Sequence, residues 1–381
     1  MNQLLTHIPR HQFDTLVRQG EGDRYVKTFT TWNQFSVLLY AQSSGKDSLR
    51  DIQNATVAQQ NKLYHLGLPD IVHRSTLADA NKNRDHRIFK GLFYRLLERC
   101  RSLTPKHKFK FKNPLHTLDS TTIDLCLSAF PWAKFRTTKG ALKLHCQLDH
   151  AGNIPSFVIV TDGKQHDISV ARDSLAIVPD SIYCFDKGYT DFTWFRRIND
   201  RGAFFVTRAK DNLAYCITGQ QETLENKGIL KDAIIELTTF YGQQDFPHSL
   251  RLIHYYDEET NRTLEFLTNN FKLAASTIAG IYKARWQIEA FFKWLKQNLK
   301  IKTFLGTSQN AVLIQIWVAM CYYLLLAYIK YQTKFAHSLF YLHRLVKETL
   351  LDRVSLIDLL NLDQKRLARL KGMEPQLCFE F

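Results

Sequence analysis

Apolar positions recur at helical spacing through the first third of the chain. Phe13–Val17 and Trp32–Ala41 each place them three and four residues apart, and Phe89–Leu97 is amphipathic. Ser48 stands where it would cap a helix. Leu66-Gly67-Leu68-Pro69 interrupts the pattern, and Ser75 or Thr76 then opens a polar helix that carries Asn81, Lys82, Asn83 and Arg84. A helix, a Gly/Pro break and a polar helix make a helix-turn-helix with a groove-reading second helix, or an exposed helix with a solvated face. Residues 102–115 form a linker in which Lys106, Lys108, Lys110 and Lys112 alternate with other residues. An extended chain puts those lysines on one side. There they track a phosphate backbone or keep an edge strand soluble.

From residue 116 the period shortens to that of strands. Residues 116–125, 141–149 and 154–163 read as three strands, with a hairpin turn at Gly152-Asn153. Asp167 is placed to cap a helix over 168–176. A fourth strand over 181–189 stops at Gly188, a helix covers 192–200, and a fifth strand covers 202–209. Residues 211–268 are strand-like and interrupt the alternation of strands and helices. Residues 281–300 read as one helix, and the remainder as a helical, charged tail. Ala311–Ile329 has no formal charge and is long enough to span a bilayer. It contains Gln315 and has no companion span, so a helix buried all round is expected and no membrane partner.

The chain has 381 residues, enough for two or three domains, and 45% hydrophobic content fills a core. The boundaries fall at 1–112 (helical), 113–306 (mixed α/β, with a β-rich insertion at about 211–268) and 307–381 (helical). The formal charge is +15, and residues 1–112 alone hold +10. That imbalance points to a polyanion partner, most simply nucleic acid, or to a solvated basic surface. Seven scattered cysteines include no Cys-x-x-Cys pair, so neither a zinc site nor a disulfide framework is expected, and a reducing cytoplasm fits. The first residues lack the apolar stretch of a signal peptide.

The chemistry concentrates on residues 281–300. One helical face carries Tyr282, Arg285, Glu289, Lys293 and Lys296. A neighbouring face carries Ile281, Ala284, Ile288, Phe291 or Phe292, Leu295 and Leu299. A carboxylate in a row of cations is either an ordinary ion pair or a metal ligand beside a phosphate-binding row. Two upstream aspartates favour the second. Asp119 lies in the first strand and Asp186 at the end of the fourth, and an aspartate in an apolar strand is unfavourable unless paired or metal-bound. Three clustered carboxylates repel unless a cation joins them. Mg²⁺ accepts carboxylate oxygens together with water and substrate phosphate, and two such ions activate one oxygen while stabilising the leaving one.

Tyr282-x2-Arg285-x3-Glu289-x6-Lys296, with Asp119 and the Asp186-x-Gly188-Tyr189 stretch, resembles the signature and carboxylate set of the IS-four family of bacterial DDE transposases. The resemblance covers about residues 116–306, and the helical N-terminal region is similar to those appended to such enzymes. It implies an RNase H-like mixed sheet with a β-rich insertion. It also implies Asp119, Asp186 and Glu289 as catalytic metal ligands for Mg²⁺, with Mn²⁺ as a substitute, and Tyr282, Arg285 and Lys296 on DNA; Lys293, on the same helical face, is expected there by its position. The implied reaction is cleavage at the terminal inverted repeats, release through a hairpin, and strand transfer to target DNA. The acting form is expected to be a homodimer on DNA, in a bacterial cytoplasm and on the nucleoid when bound. The alternatives are an inactive, domesticated DNA-binding protein and a related metal-dependent nuclease. Gly163-x2-His166-Asp167 resembles a further stretch of the family, or is a helix cap. The insertion tryptophan of the best-known relatives has no counterpart here. The matching stretch offers Phe266 as its aromatic, so base flipping would use Phe266, another aromatic such as Trp194, or a different arrangement.

Overall fold

The structure is a computed structural model that describes residues 1–133, 140–221, 227–301, 303–352 and 355–360. The expected tail beyond residue 360, with Cys378, lies outside the described residues. The chain forms two compact units, one of Met1–Pro105 with Trp294–Phe381 and one of Lys106–Lys293.

The chain begins with six helices: α1 (Asn2–Leu5), α2 (Arg10–Gln19), α3 (Thr31–Ser44), α4 (Leu49–Ala58), α5 (Arg74–Asn83) and α6 (His86–Arg101). Ser48 caps α4 as its position predicts, accepting from the Asp51 amide. α5 begins at Arg74, just before the expected Ser75 or Thr76, with no side-chain cap. Asn81 is buried, and its side-chain oxygen accepts from Gln34 at 2.8 Å. The Arg84 guanidinium binds Gln34 and the Phe29 carbonyl. Those two polar residues hold the helix in place, which leaves Lys82 and Asn83 with Ser75, Thr76 and Asp79 facing outward.

The second unit is built on β1 (Leu115–Leu125), β2 (Gly140–Asp149), β3 (Ile154–Asp162), α7 (Asp167–Ser174), β4 (Ile182–Cys184), α8 (Phe192–Asp200) and β5 (Phe204–Arg208). β6 (Tyr215–Gln220), β7 (Ile229–Leu237), α9 (Phe240–Asp245), β8 (Leu250–Asp257) and β9 (Arg262–Thr268) follow, then α10 (Ala275–Ala284) and α11 (Trp286–Asn298). All nine strands form one sheet in the order β3-β2-β1-β4-β5-β9-β8-β7-β6. β1, β4 and β5 are parallel, with α7 and α8 in the crossovers, and β2 and β3 are antiparallel. This is the RNase H-like order. The insertion continues the same sheet, because β9 pairs antiparallel with β5.

Gly152 and Asn153 both take positive φ, 78° and 51°, which the tight β2–β3 hairpin requires. Alternation along β4 puts Tyr183 and Phe185 into one core with Trp194, Phe195 and Phe205. Ile182 and Cys184 enter the opposite core with Leu115, Val206, Phe266, Ile278 and Ile281. Both faces of the central strands are therefore covered, as parallel strands need.

α12 (Gln309–Gln332) and α13 (Leu339–Thr349) return to the helical unit. In α12, 89% of the most apolar window is buried inside that unit. Trp317 packs 5.5 Å from Phe93 of α6, and the Tyr322 hydroxyl lies 2.9 Å from His343 Nδ1. Gln315 explains its place in the apolar run. Its amide donates to the carbonyls of Lys300 and Thr303 and accepts from the Leu305 amide, so it satisfies three backbone groups next to the helix. The contacts thus divide the chain differently from the sequence pattern, which separates 1–112 from 307–381. An apolar helix needs partners all round, and α6 and α3 supply them.

Candidate active site

β1 pairs with β4 only through Leu115–Thr117 and Ile182–Cys184, with Thr117 opposite Cys184. Two residues beyond that last pair stand Asp119 and Asp186. Parallel register keeps them level where the strands part, at the carboxyl end of the sheet, where α/β sheets open a crevice. Asp119 lies on the same face of β1 as Leu115, towards the core that contains Ile281. Its Oδ1 accepts from the Ser120 amide at 2.8 Å.

Asp186 caps a single 3-10 turn, its Oδ1 accepting from the Gly188 amide at 2.9 Å. A Cβ on Gly188 would stand 3.0 Å from that oxygen, which accounts for the glycine of the Asp186-x-Gly188-Tyr189 stretch. Tyr189 is buried 5.8 Å from Phe185 and anchors the turn.

The helix expected over 281–300 is two helices, α10 and α11, joined at Arg285. Bonds from the Arg285 amide to the Tyr282 carbonyl and from the Ile288 amide to the Arg285 carbonyl, 3.1 Å each, tighten the junction to 3-10 spacing. Of the expected buried stripe, Ile281, Ile288, Phe291, Phe292, Leu295 and Leu299 are buried and Ala284 is half-buried. Of the polar stripe, Arg285 reaches the strand ends. Arg285 reaches Asp119 Oδ2 at 3.3 Å and Glu289 Oε1 at 2.6 Å. The Tyr282 ring lies 4.9 Å from buried Phe266, with the Arg285 guanidinium 5.6 Å above it. Lys293 is exposed one turn beyond Glu289. Lys296 is further along α11, past the end of this unit.

Burial pushes the Asp119 carboxyl up to about 6. The Ser120 amide and Arg285 pull the other way, and the charges of Asp186 and Glu289 add to the rise. The folded state therefore favours protonated Asp119, and stability falls as pH rises from its ordinary value near 4 through about 6. Asp119→Asn cannot ionise. Its melting free energy in metal-free buffer is expected to match wild type below pH 4 and to exceed it above pH 6 by on the order of 2 kcal/mol. A pH-independent difference between the two proteins would refute this environment for Asp119.

The sequence reading placed three residues differently. Asp167 is the first residue of α7, and His166 occupies the cap position without a side-chain bond. The Asp167 carboxylate instead lies 2.9 Å from Lys143 and 3.1 Å from His145 of β2. Burial opposes its charge, but hydrogen bonds from His145, Ser120 and Lys143 outweigh burial and draw it down to about 2. Phe266 and Trp194 are both fully buried in the cores of the sheet, so neither can stack on a base. Trp286, next to Arg285 and three residues before Glu289 on α11, is an exposed aromatic, 64% accessible. Its signal was present in the sequence, since it falls outside the apolar stripe of its own helix.

Among the described residues no three His, Cys, Asp or Glu side chains already form a metal cage. The donor set nevertheless fits a divalent ion. Asp119, Asp186 and Glu289 offer only hard carboxylate oxygens, and like charges gathered there repel unless a cation joins them. The Arg285 guanidinium supplies part of that positive charge.

The strand order is that of an RNase H-like domain, with Asp119, Arg285 and Glu289 joined at the carboxyl end of its central strands. The family model described as the transposase DDE domain matches residues 112–325, more than half of the chain, and a domain of unknown function matches residues 1–69. A putative transposase of Sinorhizobium fredii is 35% identical over 254 residues, covering 66% of this chain and 69% of that protein. A probable insertion-sequence transposase of Geobacillus stearothermophilus is 29% identical over 270 residues, 70% of each chain. The solved synaptic complex of piggyBac transposase with hairpin DNA superposes with a TM-score of 0.47 at 10% identity, covering 96% of this chain and 79% of that one. The chain belongs to the DDE transposase family, divalent-metal-dependent enzymes that cleave DNA and transfer strands.

Proposed function

We propose that Asp119, Asp186 and Glu289 are the catalytic carboxylates of an insertion-sequence transposase and that they hold Mg²⁺, with Mn²⁺ as a substitute. The observation that carries this reading is the level placement of Asp119 and Asp186 at the parting of β1 and β4, with Glu289 tied to Asp119 through Arg285. When bound, paired divalent ions lower the pKa of the attacking water or 3′-hydroxyl and stabilise the departing oxygen. The protein's own residues orient the DNA. Arg285, Lys293 and Lys296 take phosphates, the Tyr282 hydroxyl adds a donor, and Trp286 offers a ring for a base unstacked at the cut. A hairpin intermediate, where one forms, uses Trp286 and not Phe266.

The N-terminal residues 1–112 recognise the terminal inverted repeats. Their support is the +10 charge and the outward face of α5. Two protomers hold paired ends. The protein works in the cytoplasm, associates with the nucleoid through DNA, and keeps α12 in its core rather than in a membrane. Purified full-length protein with a labelled terminal-repeat duplex tests the assignment. Denaturing gels are expected to show Mg²⁺-dependent nicks at the repeat boundary that chelation abolishes. Metal-independent nicking, or none with either Mg²⁺ or Mn²⁺, would overturn it.

A further inference from the structure

Arg285 binds two carboxylates on two different elements, Asp119 on β1 and Glu289 on α11. One guanidinium nitrogen takes Asp119 Oδ2 and the other takes Glu289 Oε1. The remaining Asp119 oxygen already accepts from the Ser120 amide. A divalent ion shared by Asp119 and Glu289 would stand against the guanidinium that now bridges Asp119 Oδ2 and Glu289 Oε1, and two cations there repel. Guanidinium and metal therefore compete for one place.

The arrangement suits an exchange better than a permanent pair. Arg285 is only 15% accessible, and its Nε is buried without a hydrogen-bond partner among the described residues. A buried donor left unpaired opposes the resting pose. Arginine is a weakly hydrated cation whose planar fork fits phosphate as well as it fits carboxylate. Trp286 and Lys293, three residues before and four after Glu289 on one face of α11, are exposed.

We propose that Arg285 is a resident cation that closes the metal site of the DNA-free protein. It leaves Asp119 and Glu289 when a DNA phosphate offers its fork a better partner, so metal loading is coupled to DNA binding. The inference rests on the reading of Asp119 and Glu289 as metal ligands. In the resting protein the charge of Arg285 stands in for the metal, and few molecules have the carboxylates free. Apparent metal affinity is reduced by that fraction, and removing the occupant restores it.

The test is Mn²⁺ binding to purified full-length protein without DNA, followed by the electron paramagnetic resonance of free Mn²⁺. Thermal melting of each variant establishes that it is folded. Arg285→Ala is expected to bind Mn²⁺ at least about tenfold more tightly than wild type. Arg285→Lys keeps a charge but loses the fork that spans both carboxylates, and is expected to fall between the two. Equal or weaker binding by Arg285→Ala, or no binding, would overturn the proposal, as would wild-type affinity in Arg285→Lys. The underlying site is judged separately by nicking. If nicking requires Asp119 and Glu289 while Arg285→Ala leaves Mn²⁺ affinity unchanged, only the resident-cation proposal fails. If nicking survives Asp119→Asn and Glu289→Gln, the carboxylate site itself fails.

Discussion

Glu289→Gln, Asp119→Asn and Asp186→Asn are each expected to lower the rate of the first nick by more than about 10³-fold, roughly 4 kcal/mol of barrier. Binding of end DNA should survive in all three. The amide keeps the size of the side chain and removes the charge that binds a divalent ion. The structural consequences are small by comparison. Glu289 loses one partly exposed ion pair with Arg285, a change of at most about 1 kcal/mol. If the stripe on α10 and α11 were only ion pairing, purified Glu289→Gln would nick as well as wild type. That result would remove Glu289 from the catalytic set. Arg285→Ala should instead bind metal without DNA and falter after the first nick, when the freed end has to be held.

Changing Lys106, Lys108, Lys110 and Lys112 together to alanine is expected to flatten the salt dependence of DNA binding. Each phosphate contact contributes about −0.9 to the slope of log K against log salt, so four contacts remove about 3 to 4 from it. The structure gives the row its direction. The four lysines are exposed, while His107, Phe109 and Phe111 between them are half-buried. Phe109 and Phe111 stack at 5.2 Å and pack against the core that contains Ile278 and Ile281. The extended segment therefore cannot turn its charges inward. Sequence preference should not change, because phosphate contacts carry no base information. An unchanged slope would mean that the lysines serve only to keep the segment solvated. The full chain is the right material, since α12 supplies the packing partner of α6.

The catalytic unit was readable because its signals are local. Alternating apolar residues mark β1 to β5, and Gly152-Asn153 marks a hairpin that only positive φ permits. Asp119 and Asp186 stood out as charges in apolar strands. What escaped the sequence depends on contacts between distant residues. The partnership of α12 with α6 joins residues more than two hundred positions apart, and no period in either helix encodes it. Asp167 sits where a capping residue would, but Lys143 and His145 on a neighbouring strand hold its carboxylate. The 281–300 stripe showed Arg285 and Glu289 one turn apart. That the same guanidinium also reaches Asp119 depends on how β1 meets α10. Phe266 stood out as the aromatic of the stretch that matches the relatives' insertion tryptophan, yet it packs in the core with Ile278 and Ile281 of α10.

Direct contact of Asp119 and Asp186 with the metal is tested by changing the ligand atom. Asp119→Cys and Asp186→Cys replace a hard oxygen ligand with a sulfur that Mg²⁺ accepts poorly and Mn²⁺ accepts better. The measurement is nicking of labelled end DNA by each variant in Mg²⁺ and in Mn²⁺. No nicking in Mg²⁺ and partial recovery in Mn²⁺ are expected for both variants. Nicking near the wild-type rate in Mg²⁺ by either cysteine variant would contradict direct contact.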